Sequence, residues 1–178
     1  IILVGEMRDN ETIDMSIRAA LTGHLVFSTI HTNNAVTTIS RLLDMGVEPF
    51  LIASTLILVV SQRLVRKVCD HCKEPVVQSG SFSQPYQTWW QEYDRPLMAG
   101  KGCDKCRHTG YRGRVGVFEV LTMTSPMRDL IERRATSQEL AEQAHRDGMR
   151  TLFEDALLKV EAGLTTLDEA IRVTMGVL

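Results

Sequence analysis

Apolar and polar residues switch between two-residue and helical spacing along this chain, and the switches mark out its elements. Ile1-Ile2-Leu3-Val4 is an unbroken apolar run, the pattern of a buried strand in a parallel sheet. It has no solvated lead-in and no initiator Met, which predicts that the sequence opens inside an element of a longer protein. Asp9-Asn10-Glu11-Thr12 supplies helix-capping side chains, and Ile13, Ile17, Ala20 and Leu21 follow at helical spacing until Gly23. Leu25 to Ile30 reads as a second strand. Strand, helix and strand in so short a stretch predict a βαβ unit with a right-handed crossover, and hence an α/β fold.

Ala35 to Met45 is amphipathic and stops at Gly46. Glu48-Pro49 then opens an apolar stretch, Phe50 to Val60, read as a buried helix with Pro in its first turn. Ser54 and Thr55 interrupt that stretch, which is shorter than the roughly 20 apolar residues of a membrane-spanning helix. Both helices are expected to pack on the sheet. Arg63 to Val68 alternates polar and apolar residues and leads to Cys69, and Arg114 to Leu121 reads as a returning strand. From Ser125-Pro126 onward the spacing is helical, with capping boxes at Thr136/Glu139, Thr151/Glu154 and Thr166/Glu169, and with Gly148 and Gly163 closing helices. Ile131, Leu140, Leu152, Leu157, Leu158 and Ile171 are the expected core of a small C-terminal helical bundle. The chain thus reads as three segments: 1–68, a cysteine module at 69–110, and the returning strand with the helical region at 111–178.

Length and composition narrow the class. The 178 residues suit one sizeable core with a small satellite module. A content of 44% hydrophobic and 24% charged residues excludes disorder, collagen-like repeats and a disulfide-dense miniprotein. Four cysteines and no secretory signal predict a reducing, cytoplasmic location. The net charge of −2 predicts no bulk attraction to nucleic acid or to an anionic membrane. Its distribution is uneven: residues 1–62 carry 3 bases and 6 acids, residues 63–114 carry 10 and 5, and residues 115–178 carry 7 and 11. The basic middle third also holds all four cysteines.

Those cysteines form two matched pairs, Cys69-x2-Cys72 and Cys103-x2-Cys106. Each pair fits a tight knuckle turn, and two knuckles complete the four-thiolate shell of a structural Zn²⁺. A closed shell leaves no place for water, so such an ion would hold the fold rather than catalyse. Lys67, Lys73, Lys101, Lys105 and Arg107 are placed to offset the negative charge of the centre. Two disulfides, free thiols or a redox pair are the alternatives, and His71 or His108 could replace a cysteine ligand.

A second constellation is Ile1-Ile2-Leu3-Val4-Gly5-Glu6-Met7-Arg8-Asp9, an apolar strand that delivers a carboxylate at its carboxyl end. Ligands bind at that edge of a doubly wound sheet, and in phosphate-hydrolysing proteins an acid there holds Mg²⁺ through water or orients the attacking water. This is the Walker B arrangement, although many buried strands also end in Gly-Glu at a turn. Gly23-His24-Leu25-Val26-Phe27-Ser28-Thr29-Ile30-His31-Thr32-Asn33 places His31 at the end of the next strand, facing the same crevice as Glu6. His31 could then hydrogen-bond a terminal phosphate, or simply cap a loop. Arg8 is expected to pair with Asp9 or Asp14. A phosphate-cradling G-x4-G-K-S/T loop does not occur in these residues; the one Gly-Lys pair, Gly100-Lys101, falls in the cysteine module.

Taken in order, several stretches resemble the secretion ATPase family, which comprises type II secretion and type IV pilus assembly ATPases. They are Gly5-Glu6-Met7-Arg8-Asp9, Thr22-Gly23-His24-Leu25-Val26, Ser28-Thr29-Ile30-His31-Thr32-Asn33, Met45-Gly46-Val47-Glu48-Pro49-Phe50, Gln62-Arg63-Leu64-Val65-Arg66, the four cysteines, and Thr109-Gly110-Tyr111-Arg112-Gly113-Arg114-Val115-Gly116. The resemblance implies that residues 1–68 are the C-terminal part of a P-loop, RecA-like ATPase core. By it Glu6 matches the Walker B glutamate, and His24 and His31 the histidine box. Cys69, Cys72, Cys103 and Cys106 match the tetracysteine zinc site of secretion and pilus-extension members. Catalysis is thereby assigned to Glu6 and His31, with His24 and Arg8 near the nucleotide. It further implies ATP, Mg²⁺ and Zn²⁺ as cofactors, and a bacterial homo-hexamer peripheral to the inner membrane that drives a platform protein and the secretion or pilus machinery. Walker A, the aspartate box and the arginine fingers would lie upstream of Ile1, so activity is expected of the parent protein and not of this segment alone.

Two other readings use the basic cysteine module. A nucleic-acid-binding zinc ribbon would stack bases on Tyr86, Trp89, Trp90 and Tyr93. A non-catalytic docking module would instead touch the membrane platform protein.

Overall fold

The computed structural model describes residues 1–76 and 96–175. Tyr86, Trp89, Trp90 and Tyr93, the residues of the base-stacking reading, lie outside the described residues. The chain divides into two compact units, each made of two separate segments: Ile1–Ser61 with Phe118–Thr151, and Gln62–Val117 with Leu152–Leu178.

In the first unit, β1 (Ile2–Leu3) pairs in parallel with β2 (Val26–Phe27), and α1 (Asn10–Leu21) is the crossover between them. Ile2 stands opposite Val26 and Leu3 opposite Phe27. The α/β class therefore stands. Asp9 caps α1 by accepting the Thr12 N–H at 2.8 Å, and Gly23 leaves the helix with φ +89°. Beyond β2 come α2 (Ala35–Asp44) and α3 (Pro49–Thr55), then α4 (Ser125–Glu132) and α5 (Ser137–Arg146) from the second segment. Ile13, Ile39, Ile52, Leu121, Met127 and Ile131 are at most 2% exposed and form the centre of this core.

Three expectations about burial fail here. The first strand is not covered on both faces: Leu3 is 80% exposed and Phe27 52%, because among the described residues only two short strands form this sheet. Leu21 points outward from the last turn of α1, so its stripe ends a turn earlier. Phe50 to Val60 is not one buried helix. The helix stops at Thr55, Phe50 is exposed, and Leu58 already belongs to a strand. Burial along that strand alternates residue by residue, so the two-residue period beginning near Val59 overrides the apolar run.

That strand, β3 (Leu58–Val68), pairs with β6 (Tyr111–Thr122), and each runs through both units. The second unit adds β4 (Lys73–Val76) and β5 (Leu97–Gly100), an antiparallel pair with Lys73 opposite Gly100. It also holds a 3₁₀ turn at Asp104–Cys106, α6 (Leu152–Glu161) and α7 (Leu167–Thr174). Val65, Val117, Leu152, Ala156, Val160 and Leu167 fill its core. The C-terminal helices thus serve two cores, α4 and α5 one and α6 and α7 the other, instead of forming one bundle. Leu158 is 39% exposed and lies outside the core expected for it.

Capping follows the sequence at α5 and departs from it at α7. Thr136 and Glu139 close a reciprocal box on α5. At α7, Thr166 accepts the Glu169 N–H, but the Glu169 carboxylate does not return to the cap. It lies fully buried between Arg66 and Arg172, with Arg66 Nη2 at 2.7 Å from Oε2 and Arg172 Nη2 at 2.7 Å from Oε1. The Arg66 backbone N–H donates to Oε1 as well, at 3.0 Å. Arg66 also lies over the Tyr111 ring, 4.1 Å from its centroid, and the Tyr111 hydroxyl meets Thr166 Oγ1 at 2.7 Å. Burial alone would raise the Glu169 carboxyl, but hydrogen bonds from Arg172 and Arg66 outweigh it and hold the group down at about 2.

Candidate functional site

Two side-chain clusters carry chemistry, one in each unit. The first follows from strand register. Where β1 and β2 end, the chains stay fastened: Met7 N–H donates to the Thr29 carbonyl at 2.9 Å, and Thr29 Oγ1 donates to the Gly5 carbonyl at 2.7 Å. Glu6 lies between those anchors and His31 lies two residues past Thr29, so parallel pairing brings both to the carboxyl ends of the strands. His31 Nε2 is 3.0 Å from Glu6 Oε1. Arg8 Nε donates to Glu6 Oε2 at 2.6 Å. Arg8 therefore pairs with Glu6 rather than with Asp9 or Asp14; Asp9 is occupied by the α1 cap.

These residues line an open cleft of about 320 Å³, with Met7, Ile30 and Met45 as apolar walls and Arg41 of α2 as a further cation. The Glu6 side chain is 18% exposed and that of His31 89%, so the carboxylate is sheltered while the imidazole stands in solvent. Arg8 and Arg41 outnumber Glu6, a balance that favours an anion in the cleft. Arg41 did not stand out in the sequence. Its one signal is that it is the sole base of a helix whose other residues, up to the terminal Asp44, are apolar or hydroxylic. His24 is not brought to the cleft. It sits at the opposite end of β2, where its Nδ1 lies 3.1 Å from Thr22 Oγ1 and 3.2 Å from the Ala19 carbonyl at the end of α1.

The second cluster is built on the two knuckles. Cys72 N–H donates to the Cys69 carbonyl and Cys106 N–H to the Cys103 carbonyl, each at 3.1 Å, so both Cys-x2-Cys segments turn in the same way. Cys69 N–H donates to the Gly110 carbonyl at 2.9 Å and Lys101 N–H to the Cys72 carbonyl at 3.0 Å, which fastens one knuckle to the strands beside the other. Gly100 and Gly110 pass so close that a Cβ on Gly100 would run into the Gly110 carbonyl. The four sulfurs lie within 4.8 Å of one another. Cys69 to Cys103 is 4.0 Å, and both Cys72 to Cys106 and Cys103 to Cys106 are 3.8 Å. Four thiolates about 2.3 Å from a central ion in tetrahedral array would sit about 3.8 Å apart, so the donor set fits one tetrahedral metal ion. All four cysteines are free of disulfides.

Neither histidine enters the shell: His71 is not part of the cluster, and His108 faces Asp104 at 3.2 Å. Two of the lysines expected to balance the centre have acidic partners of their own, Lys67 with Asp70 and Lys101 with Glu74. Desolvation raises the Cys106 thiol, but N–H groups of Cys103 and Gly110 and the neighbouring thiols of Cys103 and Cys72 bring it down to about 6. Cys72 is pushed up to about 12, by desolvation and by the sulfurs around it, against the lowering effect of the Gly102 N–H.

A family described as "Type II/IV secretion system protein" matches residues 1–172. The chain is 43% identical over 177 residues to the type IV pilus assembly ATPase TfpB of Acinetobacter baylyi, covering 97% of this chain and 30% of that protein. It is 46% identical over 176 residues to the type IV pilus assembly ATPase PilB of Thermus thermophilus, covering 98% and 20%. To the type II secretion system ATPase E of Vibrio cholerae it is 44% identical over 176 residues, covering 98% and 34%. Among solved structures it is similar to the pilus retraction motor PilT with bound ADP, at TM-score 0.64 and 27% identity, over 96% of this chain and 38% of that one. The ATPase DotB of Legionella pneumophila, at TM-score 0.62 and 23% identity, over 95% of this chain and 37% of that one, shares the fold. In each case the chain spans well under half of its relative.

Proposed function

This chain belongs to the type II/IV secretion system protein family, and we propose that it is the C-terminal part of the motor domain of a longer ATPase that powers type IV pilus assembly or type II protein secretion. The observation that carries this reading is the Glu6–His31 pair, 3.0 Å apart at the carboxyl ends of two parallel strands, in a cleft with more cations than anions. Such a cleft suits the phosphates of a nucleotide. Their cradle would come from residues outside these 178, because no G-x4-G-K-S/T loop occurs in them.

In this reading Glu6 orients the attacking water and accepts its proton at Oε1 or Oε2. His31 donates from Nε2 to a terminal phosphate oxygen, where negative charge is held during transfer. The sheltered setting of Glu6 keeps that carboxylate partly dehydrated, and Arg8 fixes its orientation through Oε2. Glu6 is also the residue here that would hold Mg²⁺, through water, and the ion when bound neutralises phosphate charge. His24 has no part in this chemistry and serves the turn between α1 and β2.

Cys69, Cys72, Cys103 and Cys106 hold one structural Zn²⁺ in the same proposal, which ties the knuckles together and leaves no open coordination position. The parent acts as a cytoplasmic homo-hexamer that passes motion to an inner-membrane platform protein. Among the described residues no helix is long and apolar enough to cross a membrane.

The experiment is steady-state phosphate release by the full-length protein and by this chain alone, with zinc measured on both. The proposal expects turnover from the full-length protein, none from the 178-residue chain, and one zinc per chain in each. Turnover by the short chain would contradict an external phosphate cradle, and an inactive full-length protein would contradict the ATPase assignment.

A further inference from the structure

Glu119 is a buried carboxylate, 4% exposed, that the chemistry above leaves unused. It stands on β6, and its Oε1 accepts the backbone N–H of Ala35 at 2.7 Å, across 84 residues of sequence. Ala35 is the first residue of α2, and only Thr32, Asn33 and Asn34 separate it from His31. The helix does not need Glu119 in order to start. Asn34 Oδ1 already accepts the Thr37 N–H at 2.8 Å, Thr37 Oγ1 accepts the Asn34 N–H at 3.3 Å, and Thr32 Oγ1 lies 2.8 Å from Thr38 Oγ1. A local cap of that kind fixes the shape of the turn but not its place on the sheet. The Glu119 bond does fix its place, with a carboxylate at the positive end of the helix, a strong and directional contact.

His31 depends on such an anchor. Its side chain is 89% exposed, and among the described residues its one polar partner is Glu6. So exposed a ring takes its position chiefly from its backbone. That backbone is tied on one side through Thr29 to Gly5 and Met7, and on the other through the short 32–34 segment to Ala35.

We propose that Glu119 is a positioning residue for phosphate transfer: by anchoring Ala35 it sets the loop after β2 and so holds His31 against Glu6. This rests on the role given to His31 above. The chemical requirement is an acceptor at the Glu119 position that can reach the Ala35 N–H.

The test is a double-mutant cycle on phosphate release by the full-length protein. Glu119→Ala is expected to lower kcat about 10- to 100-fold, the scale of a catalytic group displaced by about 1 Å, with KM for ATP within about twofold. Glu119→Gln keeps a carbonyl oxygen in reach of Ala35 and is expected to return kcat to within about threefold of the parent. In a His31→Ala background, Glu119→Ala is expected to cost nothing further, because both changes remove the same contribution. If Glu119→Ala does not yield folded protein, Glu119→Asp, which withdraws the carboxylate by one methylene, takes its place in the cycle. The same fold-loss with and without His31 would overturn the inference and leave Glu119 a structural residue. Parental turnover in Glu119→Ala would overturn it too. Parental turnover in His31→Ala alone would overturn the role of His31 itself, and the inference with it.

Discussion

His31 Nε2 lies 3.0 Å from Glu6 Oε1, and the contact is a product of register. Ile2 opposite Val26 and Leu3 opposite Phe27 send the two segments off the sheet side by side, and the Met7 to Thr29 bond keeps them so as far as those residues. A slip of one residue would turn one of the two side chains to the other face.

Replacing His31 by Ala in the full-length protein is therefore expected to lower ATP turnover by about 10²-fold, in the range of a general acid or a charge-stabilising donor. The imidazole is mostly in solvent and fills no core, so thermal stability should stay within about 0.5 kcal/mol of the parent. Phosphate release and a melting curve on the same preparation check both statements.

Metal removal should act on stability and not on the cleft. With four sulfurs placed for one tetrahedral ion, Cys103→Ser or stripping by a strong chelator is expected to release zinc and lower Tm by about 10 °C or more. Elemental analysis and calorimetry give the result. A metal-free protein with unchanged Tm would contradict the centre.

The buried Glu169 makes stability depend on acid. Its folded value, about 2, lies below the ordinary 4.5, so its contribution is complete above the ordinary value, shrinks as pH falls below it, and is lost through about 2. Glu169→Ala leaves Arg66 and Arg172 without their shared partner, and because both arginines are about half exposed it is expected to cost about 1–3 kcal/mol near neutrality. Denaturant titrations at pH 7 and pH 3 should show a smaller gap between parent and variant at the lower pH. An equal gap at both would contradict the pairing.

Local signals were legible because local contacts decide them. Asp9, Thr136 and the glycines after α1 and α2 end their helices where the sequence puts the ends. The βαβ unit and both cysteine knuckles follow from spacing, and the same unit brought Glu6 and His31 together. What stayed hidden depends on which distant segment covers a face. Phe50 and Leu58 read as core because the apolar run ignores the change from helix to strand at Thr55. Glu169 sits where a capping box would use it, and only the arrival of Arg66 from β3 redirects its carboxylate. Glu119 and Arg41 gave little sign of their roles for the same reason, since each acts on residues that folding brings from elsewhere. The helices after Ser125 have similar spacing throughout, and nothing local tells that Thr151 closes the segment of one unit and Leu152 opens that of the other.

Whether Glu6 drives hydrolysis in this cleft is tested most directly by Glu6→Gln in the full-length protein. The substitution keeps the shape of the side chain and removes the charge that would orient and deprotonate water. Phosphate release should fall by about 10²-fold or more while a fluorescent ATP analogue binds with parental affinity. Turnover close to that of the parent, with binding intact, would contradict the account.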